Sequence, residues 1–121
     1  AVYSKPITQC IDYIYNHLHE PLHVKDLAMQ VKLNESYLST LFKKETKKSV
    51  SEFILSKRME AAQNMLKFSD YTYAEISAIL TFSSQSHFTR VFKKQTGYTP
   101  KEYRNKFFRI TKVLKASCID T

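Results

Sequence analysis

Leu38–Phe53 reads LSTLFKKETKKSVSEF, and Phe88–Tyr103 reads FTRVFKKQTGYTPKEY. The two stretches are 50 residues apart, and Phe42, Lys43, Lys44, Thr46 and Glu52 of the first fall on Phe92, Lys93, Lys94, Thr96 and Glu102 of the second. Upstream the correspondence continues at an offset of 49, with Leu27, Val31 and Leu33 facing Ile76, Leu80 and Phe82. One extra residue therefore sits in the second copy's turn. Self-similarity of this kind marks a supersecondary unit used more than once. Whatever one copy does, the chain is built to do twice.

The rest of the sequence bounds what that unit is. With 121 residues the chain makes one modest domain or two small subdomains, and 43% hydrophobic content is enough for a core. A formal charge of +8, from 19 Lys and Arg against 11 Asp and Glu, favours an anionic partner. The apolar runs are too short for a membrane span. No signal peptide is visible, and the start at Ala1 rather than Met is compatible with a piece of a longer protein. Cys10 and Cys118 stand far apart without a CxxC pair, so neither a disulfide framework nor a Cys-rich zinc site is expected; a reducing cytoplasm fits best.

One Gly and three Pro make this a helical protein. Ile7, Ile11, Ile14 and Leu18 form an apolar stripe, predicting a first helix over about Lys5 to His19, capped by Ser4 with Pro6 in its first turn. A short helix follows, about Val24 to Gln30, burying Leu27, Ala28 and Val31. Asn34 caps the next, about Glu35 to Glu45, with Leu38, Leu41 and Phe42 inward. Ser49 and Glu52 form a capping-box pattern opening a long helix, about Val50 to Lys67, with Val50, Phe53, Ile54, Ala61, Ala62, Met65 and Leu66 on its buried side. The grammar then repeats. Thr72 and Glu75 make another box, before a helix carrying Ile76 and Leu80. Ser83 or Ser84 caps a helix holding Phe88, Val91 and Phe92, with Gly97 at its end, and Thr99–Glu102 opens a last helix.

Two short helices joined by a tight turn, the second polar near its start, describe a helix-turn-helix. The major groove of B-form DNA admits one helix and exposes distinctive base edges. With the apolar residues turned inward, the outer face of the first recognition helix carries Glu35, Ser36, Ser39, Thr40 and Lys43. The outer face of the second carries Gln85, Ser86, Thr89, Arg90 and Lys93. Gln suits adenine and Arg suits guanine, through paired hydrogen bonds. Lys43, Lys44, Lys93 and Lys94 are candidates for phosphate contact. A solvated face is the ordinary fate of such residues on one helix; duplication with the same polarity, charge and capping argues for more. A linker helix of about 18 residues spans roughly 27 Å at 1.5 Å per residue. With its adjoining turns it approaches the DNA repeat of roughly 34 Å that separates successive major grooves.

Other chemistries are weaker. His17, His19, His23, Glu20 and Asp26 cluster in sequence, but they face differently and Pro21 interrupts them, so no metal site is expected. There is no Gly-rich phosphate loop and no paired acid and base, so no enzyme and no cofactor are expected. Two isolated cysteines cannot supply the zinc cluster and acceptor thiol of a DNA-repair methyltransferase. Tyr13, Tyr15, Tyr71 and Tyr73 are candidates for stacking on single-stranded bases, though packing is their commoner role. A helical module meeting an acidic protein, or an RNA binder, remains open on charge alone.

At these residues the chain resembles the AraC/XylS family of bacterial transcription regulators. The resemblance runs from about Pro6 to Arg104, most specifically through FSSQSHFTRVFKKQTGYTPKEYR, with RMEAAQNML (Arg58–Leu66) similar to the family's linker helix. It implies an all-α fold of about seven helices: two helix-turn-helix subdomains, 5–49 and 72–104, joined by a linker helix, 50–67, in a DNA-binding domain of 5–104 with a tail of 105–121. It implies a sequence-specific, double-stranded DNA-binding regulator, most often an activator that contacts RNA polymerase at promoter DNA. Family readers match Ser36, Ser39 and Thr40, then Gln85, Ser86, Thr89 and Arg90. A monomer is expected for this stretch, with any longer parent dimerising through a separate sensor domain. Three positions depart from the family's frequent glycines: Lys32, Thr81 and Lys47. A left-handed backbone at such residues costs about 1–2 kcal/mol, so another turn geometry or a less stable domain is expected. The small first-unit readers place sequence discrimination mainly on the second unit.

Overall fold

A computed structural model describes residues 2–107. Among them are seven helices and no strand: α1 Lys5–Asn16, α2 Val24–Val31, α3 Glu35–Thr46, α4 Val50–Phe68, α5 Tyr73–Ile79, α6 Gln85–Thr96 and α7, residues 100–107. The chain divides into two compact units that meet within α4, between Arg58 and Met59. No described helix is long and apolar enough to cross a membrane.

In the first unit, Ile7, Cys10 and Ile14 of α1 bury against Leu27 and Ala28 of α2, Leu38 and Phe42 of α3, and Val50, Phe53 and Ile54 at the start of α4. The sequence pattern missed Cys10, which supplies the inward position between Ile7 and Ile14 as a small hydrophobe. Burial without a charge partner raises its thiol pKa to about 11. Ile11, Val31 and Leu41 are half-buried rather than fully inward. α1 ends one turn earlier than expected. The His17 ring stacks on Tyr13 at 3.9 Å, and its Nδ1 lies 2.7 Å from Tyr13 O. That side chain satisfies a carbonyl that a continuing helix would have bonded through its backbone. Ser4 holds the N-cap position of α1, but its side chain makes no capping bond. Its backbone N–H and hydroxyl both donate to the Glu45 carboxylate at 2.7 Å, tying the start of α1 to the end of α3.

In the second unit the buried apolar residues are Met59, Ala62, Leu66, Ile76, Leu80, Phe88, Phe92 and Tyr103. Ala61, Met65 and Val91, expected inward, are half-buried. Rings run through this core in sequence: Phe82 to Phe88 at 5.2 Å, Phe88 to Phe92 at 5.7 Å, Phe92 to Tyr103 at 5.4 Å, and Tyr103 to Phe107 at 4.5 Å. α7 continues through residue 107, so the first residues assigned to the tail belong to a helix. The rest of that tail, residues 108–121 with Cys118, lies outside the described residues.

Each unit also carries an arginine clamp that the repeat did not reveal. Arg58 Nε and Nη2 donate to Leu18 O at 3.2 Å and Glu20 O at 2.8 Å, beyond the end of α1. Arg104 Nε donates to Leu66 O at 3.1 Å, and its Nη2 to Met65 O and Ser69 O at 3.3 and 3.1 Å, at the end of α4. Both guanidiniums donate to carbonyls at or just beyond a helix C-terminus, where a cation is favourably placed. Burial lowers the Arg58 pKa from its usual value.

Candidate nucleic-acid interface

The turns that aim the two recognition helices have one design. After α2, Lys32 takes a left-handed backbone (φ 58°), and Leu33 N–H reaches back to Ala28 O at 3.0 Å. After α5, Thr81 does the same (φ 63°), and Phe82 N–H reaches Ser77 O at 2.9 Å. These are Schellman-type closures, usually given to glycine. The alternative geometry considered for non-glycine turns is not used. In the first unit Asn34 follows at once as the N-cap, its Oδ1 accepting from Ser36 N at 2.8 Å and Tyr37 N at 3.3 Å. In the second, the additional residue is accommodated between Phe82 and the cap, Ser84, whose Oγ accepts from His87 N at 3.0 Å.

Once capped, each helix is held by its apolar face. Leu38 and Phe42 anchor α3, and Phe88 and Phe92 anchor α6; all four are 0% exposed. That rotation leaves Glu35, Ser36, Ser39, Thr40 and Lys43 exposed on α3. On α6 it leaves Gln85, Ser86, Arg90 and Lys93 exposed, with Thr89 half-buried. The Thr40 hydroxyl donates to Ser36 O at 3.0 Å, so its methyl is the group most available outward. One large exposed side chain on α3 escaped the sequence reading: Tyr37, at 58% exposure. A tyrosine beside Leu38 reads as apolar in a pattern count, and only the helix rotation shows it outside.

The ends of both helices are built alike. Lys47 (φ 68°) and Gly97 (φ 84°) are left-handed, with N–H bonds to Lys43 O at 2.9 Å and Lys93 O at 2.8 Å. Thr46 Oγ1 lies 2.8 Å from Phe42 O, and Thr96 Oγ1 lies 2.8 Å from Phe92 O. Capping boxes then open α4 and α7. Ser49 N–H donates to Glu52 Oε1 at 3.0 Å, and Thr99 N–H donates to Glu102 Oε1 at 2.8 Å. These backbone bonds, then the Ser49 and Thr99 hydroxyls, hold both carboxyls below their usual pKa. Lys43 contributes to the Glu52 shift and Lys93 to the Glu102 shift, which places each lysine near the same carboxylate of its own unit. Lys44 and Lys94 are exposed as well. A shallow depression beside the start of α3 is lined by Lys25, Met29, Lys32 and Asn34.

Several of the remaining sequence candidates are engaged otherwise. His17 Nε2 lies 3.8 Å from Glu20 Oε2. Among the described residues no group of three or more His, Cys, Asp or Glu converges as metal ligands would. Tyr13 stacks on His17, Tyr15 lies under Lys57 Nζ at 5.4 Å, and Tyr73 lies under the Arg104 guanidinium at 5.3 Å. Tyr71 is exposed.

A family profile described as a helix-turn-helix domain matches residues 27–106. An uncharacterised helix-turn-helix-type transcriptional regulator of Bacillus subtilis (strain 168), YobQ, is 41% identical over 98 residues, covering 81% of this chain and 41% of the relative. This chain thus spans about two fifths of that relative's length. The C-terminal domain of AraT, a response regulator from Geobacillus stearothermophilus, superposes with a TM-score of 0.83 at 26% identity, covering 88% of both chains. The DNA-binding domain of AdpA, a global transcriptional factor solved in complex with a target DNA, superposes with a TM-score of 0.80 at 26% identity, covering 86% of this chain and 94% of that one.

Proposed function

This chain belongs to the AraC-type helix-turn-helix family of DNA-binding transcription regulators, and on that basis we propose that it reads double-stranded promoter DNA in a sequence-specific way, with α3 and α6 entering successive major grooves. The observation that carries this reading is the duplicated exposure of a polar ridge on a rigidly capped helix: Ser36, Ser39 and Thr40 on α3, and Gln85, Ser86 and Arg90 on α6. Glu35, Lys43, Thr89 and Lys93 flank those ridges. The long unbroken α4, Val50–Phe68, supports two-groove reading, because 19 residues at 1.5 Å each approach the spacing between grooves. The AdpA domain, similar to this chain over most of its length, was solved on its target DNA. Transcriptional activation through contact with RNA polymerase accords with the family resemblance. We propose the monomer as the DNA-binding species of this stretch, with a sensor domain of any longer parent supplying dimerisation.

A gel-shift comparison of random duplex, single-stranded DNA and RNA tests the partner class. Retention on duplex alone is the expected result, weakening steeply with salt as lysines and arginines displace counterions. Preference for single strands indicates an RNA-type reader, and no shift at modest salt indicates a protein-binding module. On a duplex selected from a random library, Arg90→Ala is expected to cost about 1–3 kcal/mol and relax preference at one base pair. An equal loss on every duplex removes Arg90 from base reading.

A further inference from the structure

The two recognition helices differ at one corresponding position that the polar ridges do not explain. Tyr37 of α3 corresponds to His87 of α6, 50 residues on. His87 is folded back on its own turn: its ring lies 5.5 Å from Phe82, its Nδ1 lies 3.2 Å from Ser83 Oγ, and the residue is half-buried. Tyr37 has neither constraint. Its backbone N–H donates to Asn34 Oδ1, while the phenol stands 58% exposed in the first turn of the helix. An ideal helix drifts only about 20° over seven residues, so Tyr37 is nearly in line with Lys44. It stands about 100° round from Ser36, one residue's rotation in a 3.6-residue turn. That places Tyr37 and Lys44 along one flank of the ridge rather than at its centre. The central side chains are short: Ser36 carries one hydroxyl, and Thr40 has already committed its own to Ser36 O. The phenol is the longest neutral donor on this helix, and it points to the side.

We infer that Tyr37 is a DNA-backbone contact of the first unit. Its hydroxyl donates to a phosphate on the groove wall, its ring lies over the adjoining sugar, and Lys44 meets the same strand. This rests on the proposal that α3 enters a major groove, and it adds a residue to that interface. A flank position suits phosphate and sugar, where tyrosine is a regular donor, whereas base edges face the centre of the helix. The first unit then gains grip and register without base discrimination, which fits its short central side chains.

Fluorescence-anisotropy titrations of Tyr37→Phe, Tyr37→Ala and Lys44→Ala, on a duplex selected by the unaltered protein and on a scrambled duplex, test the inference. Losing a hydrogen bond to a charged acceptor is expected to weaken Tyr37→Phe about 10- to 100-fold on both duplexes. Its salt slope should be unchanged, because no charge is lost. Tyr37→Ala should bind more weakly still, and Lys44→Ala should flatten the slope by about 0.9 per phosphate contact. Tyr37→Phe keeps the ring and so reports on binding even where Tyr37→Ala melts lower. Binding by Tyr37→Phe within about twofold of the unaltered protein overturns the inference, by the tenfold-per-1.4 kcal/mol scale. So does a loss confined to the selected duplex. If Arg90→Ala still relaxes base preference, only the Tyr37 assignment fails; no duplex binding by the unaltered protein overturns both.

Discussion

The two units hold nearly the same hydrogen-bond frame with different residues. After the recognition helix, Lys47 and Gly97 occupy the same left-handed position and make closing bonds of 2.9 and 2.8 Å. In the turn before it, Lys32 and Thr81 occupy the other left-handed position. Only one of these four is the residue type that takes such a backbone freely. The geometry is therefore imposed by what surrounds it: the Schellman closures, the Thr46 and Thr96 hydroxyls, and the capping boxes that follow. The cores diverge as well. The first unit is packed mainly with aliphatic side chains around Phe42 and Phe53, whose rings meet edge-on at 5.2 Å. The second is threaded by a run of rings from Phe82 to Phe107. A common backbone tolerates either filling provided the inward positions are kept and the volume is filled.

The largest test of this contrast is truncation of the matched anchors. Phe42→Ala and Phe92→Ala are each expected to cost about 3–5 kcal/mol. Phe92→Ala should cost more, because it loses ring contacts with both Phe88 and Tyr103, worth about 0.5–1.5 kcal/mol each beyond area burial. Urea denaturation followed by circular dichroism reads both; equal losses would show that the additional ring contact of Phe92 adds nothing, since Phe42 already meets Phe53.

The left-handed positions give a smaller effect. Relief of a left-handed backbone is worth about 1–2 kcal/mol, offset by the roughly 0.5–1 kcal/mol entropic cost of glycine. Lys32→Gly, Lys47→Gly and Thr81→Gly are thus expected to stabilise by about 0.5–1 kcal/mol, with Thr81 gaining most because it is β-branched. Gly97→Ala should destabilise by about 1 kcal/mol although a Cβ there meets nothing within 4 Å, since the penalty lies in the backbone angle rather than in space. Thermal melts that leave Thr81→Gly no more stable than the unaltered chain would mean the turn is not strained.

The smallest effect comes from pH. Glu52 and Glu102 have folded-state pKa values below their ordinary ones, chiefly through backbone hydrogen bonds and then the Ser49 and Thr99 hydroxyls. Their stabilisation is complete above the unfolded carboxyl pKa of about 4.3 and is lost as pH falls through the folded values. Melting temperature should hold from neutrality to about pH 5 and decline below it. Glu52→Gln and Glu102→Gln should each flatten that decline to a similar degree; flattening by one alone would show that the matched boxes are not equivalent.

Much of the candidate interface was legible because its signals are local. Asn34, Thr72 and Gly97 announce helix ends by their own chemistry, and Phe42 with Phe92 sets which side of each recognition helix is hidden. Glu35, Ser36, Ser39, Thr40, Lys43, Gln85, Ser86, Arg90 and Lys93 then fall outside by rotation alone. Thr89 was the exception, half-buried rather than exposed. Ser4 misled because its cap geometry is present while its hydroxyl serves Glu45, 41 residues away. The arginine clamps escaped for a related reason. Arg58 stands one helical turn beyond the residue that corresponds to Arg104, so aligning the copies never pairs them.

By itself the sequence determined the helical class, the duplication, most helix boundaries and the polarity of both recognition helices, because periodicity and capping depend on residues within a turn or two of one another. Only the tertiary structure decided that Lys32, Lys47 and Thr81 take glycine's backbone, that Cys10 is a core residue, that Tyr37 stands exposed while His87 folds back, and that Arg58 and Arg104 close distant helix ends. Each of those outcomes depends on partners or on packing that a local pattern does not contain.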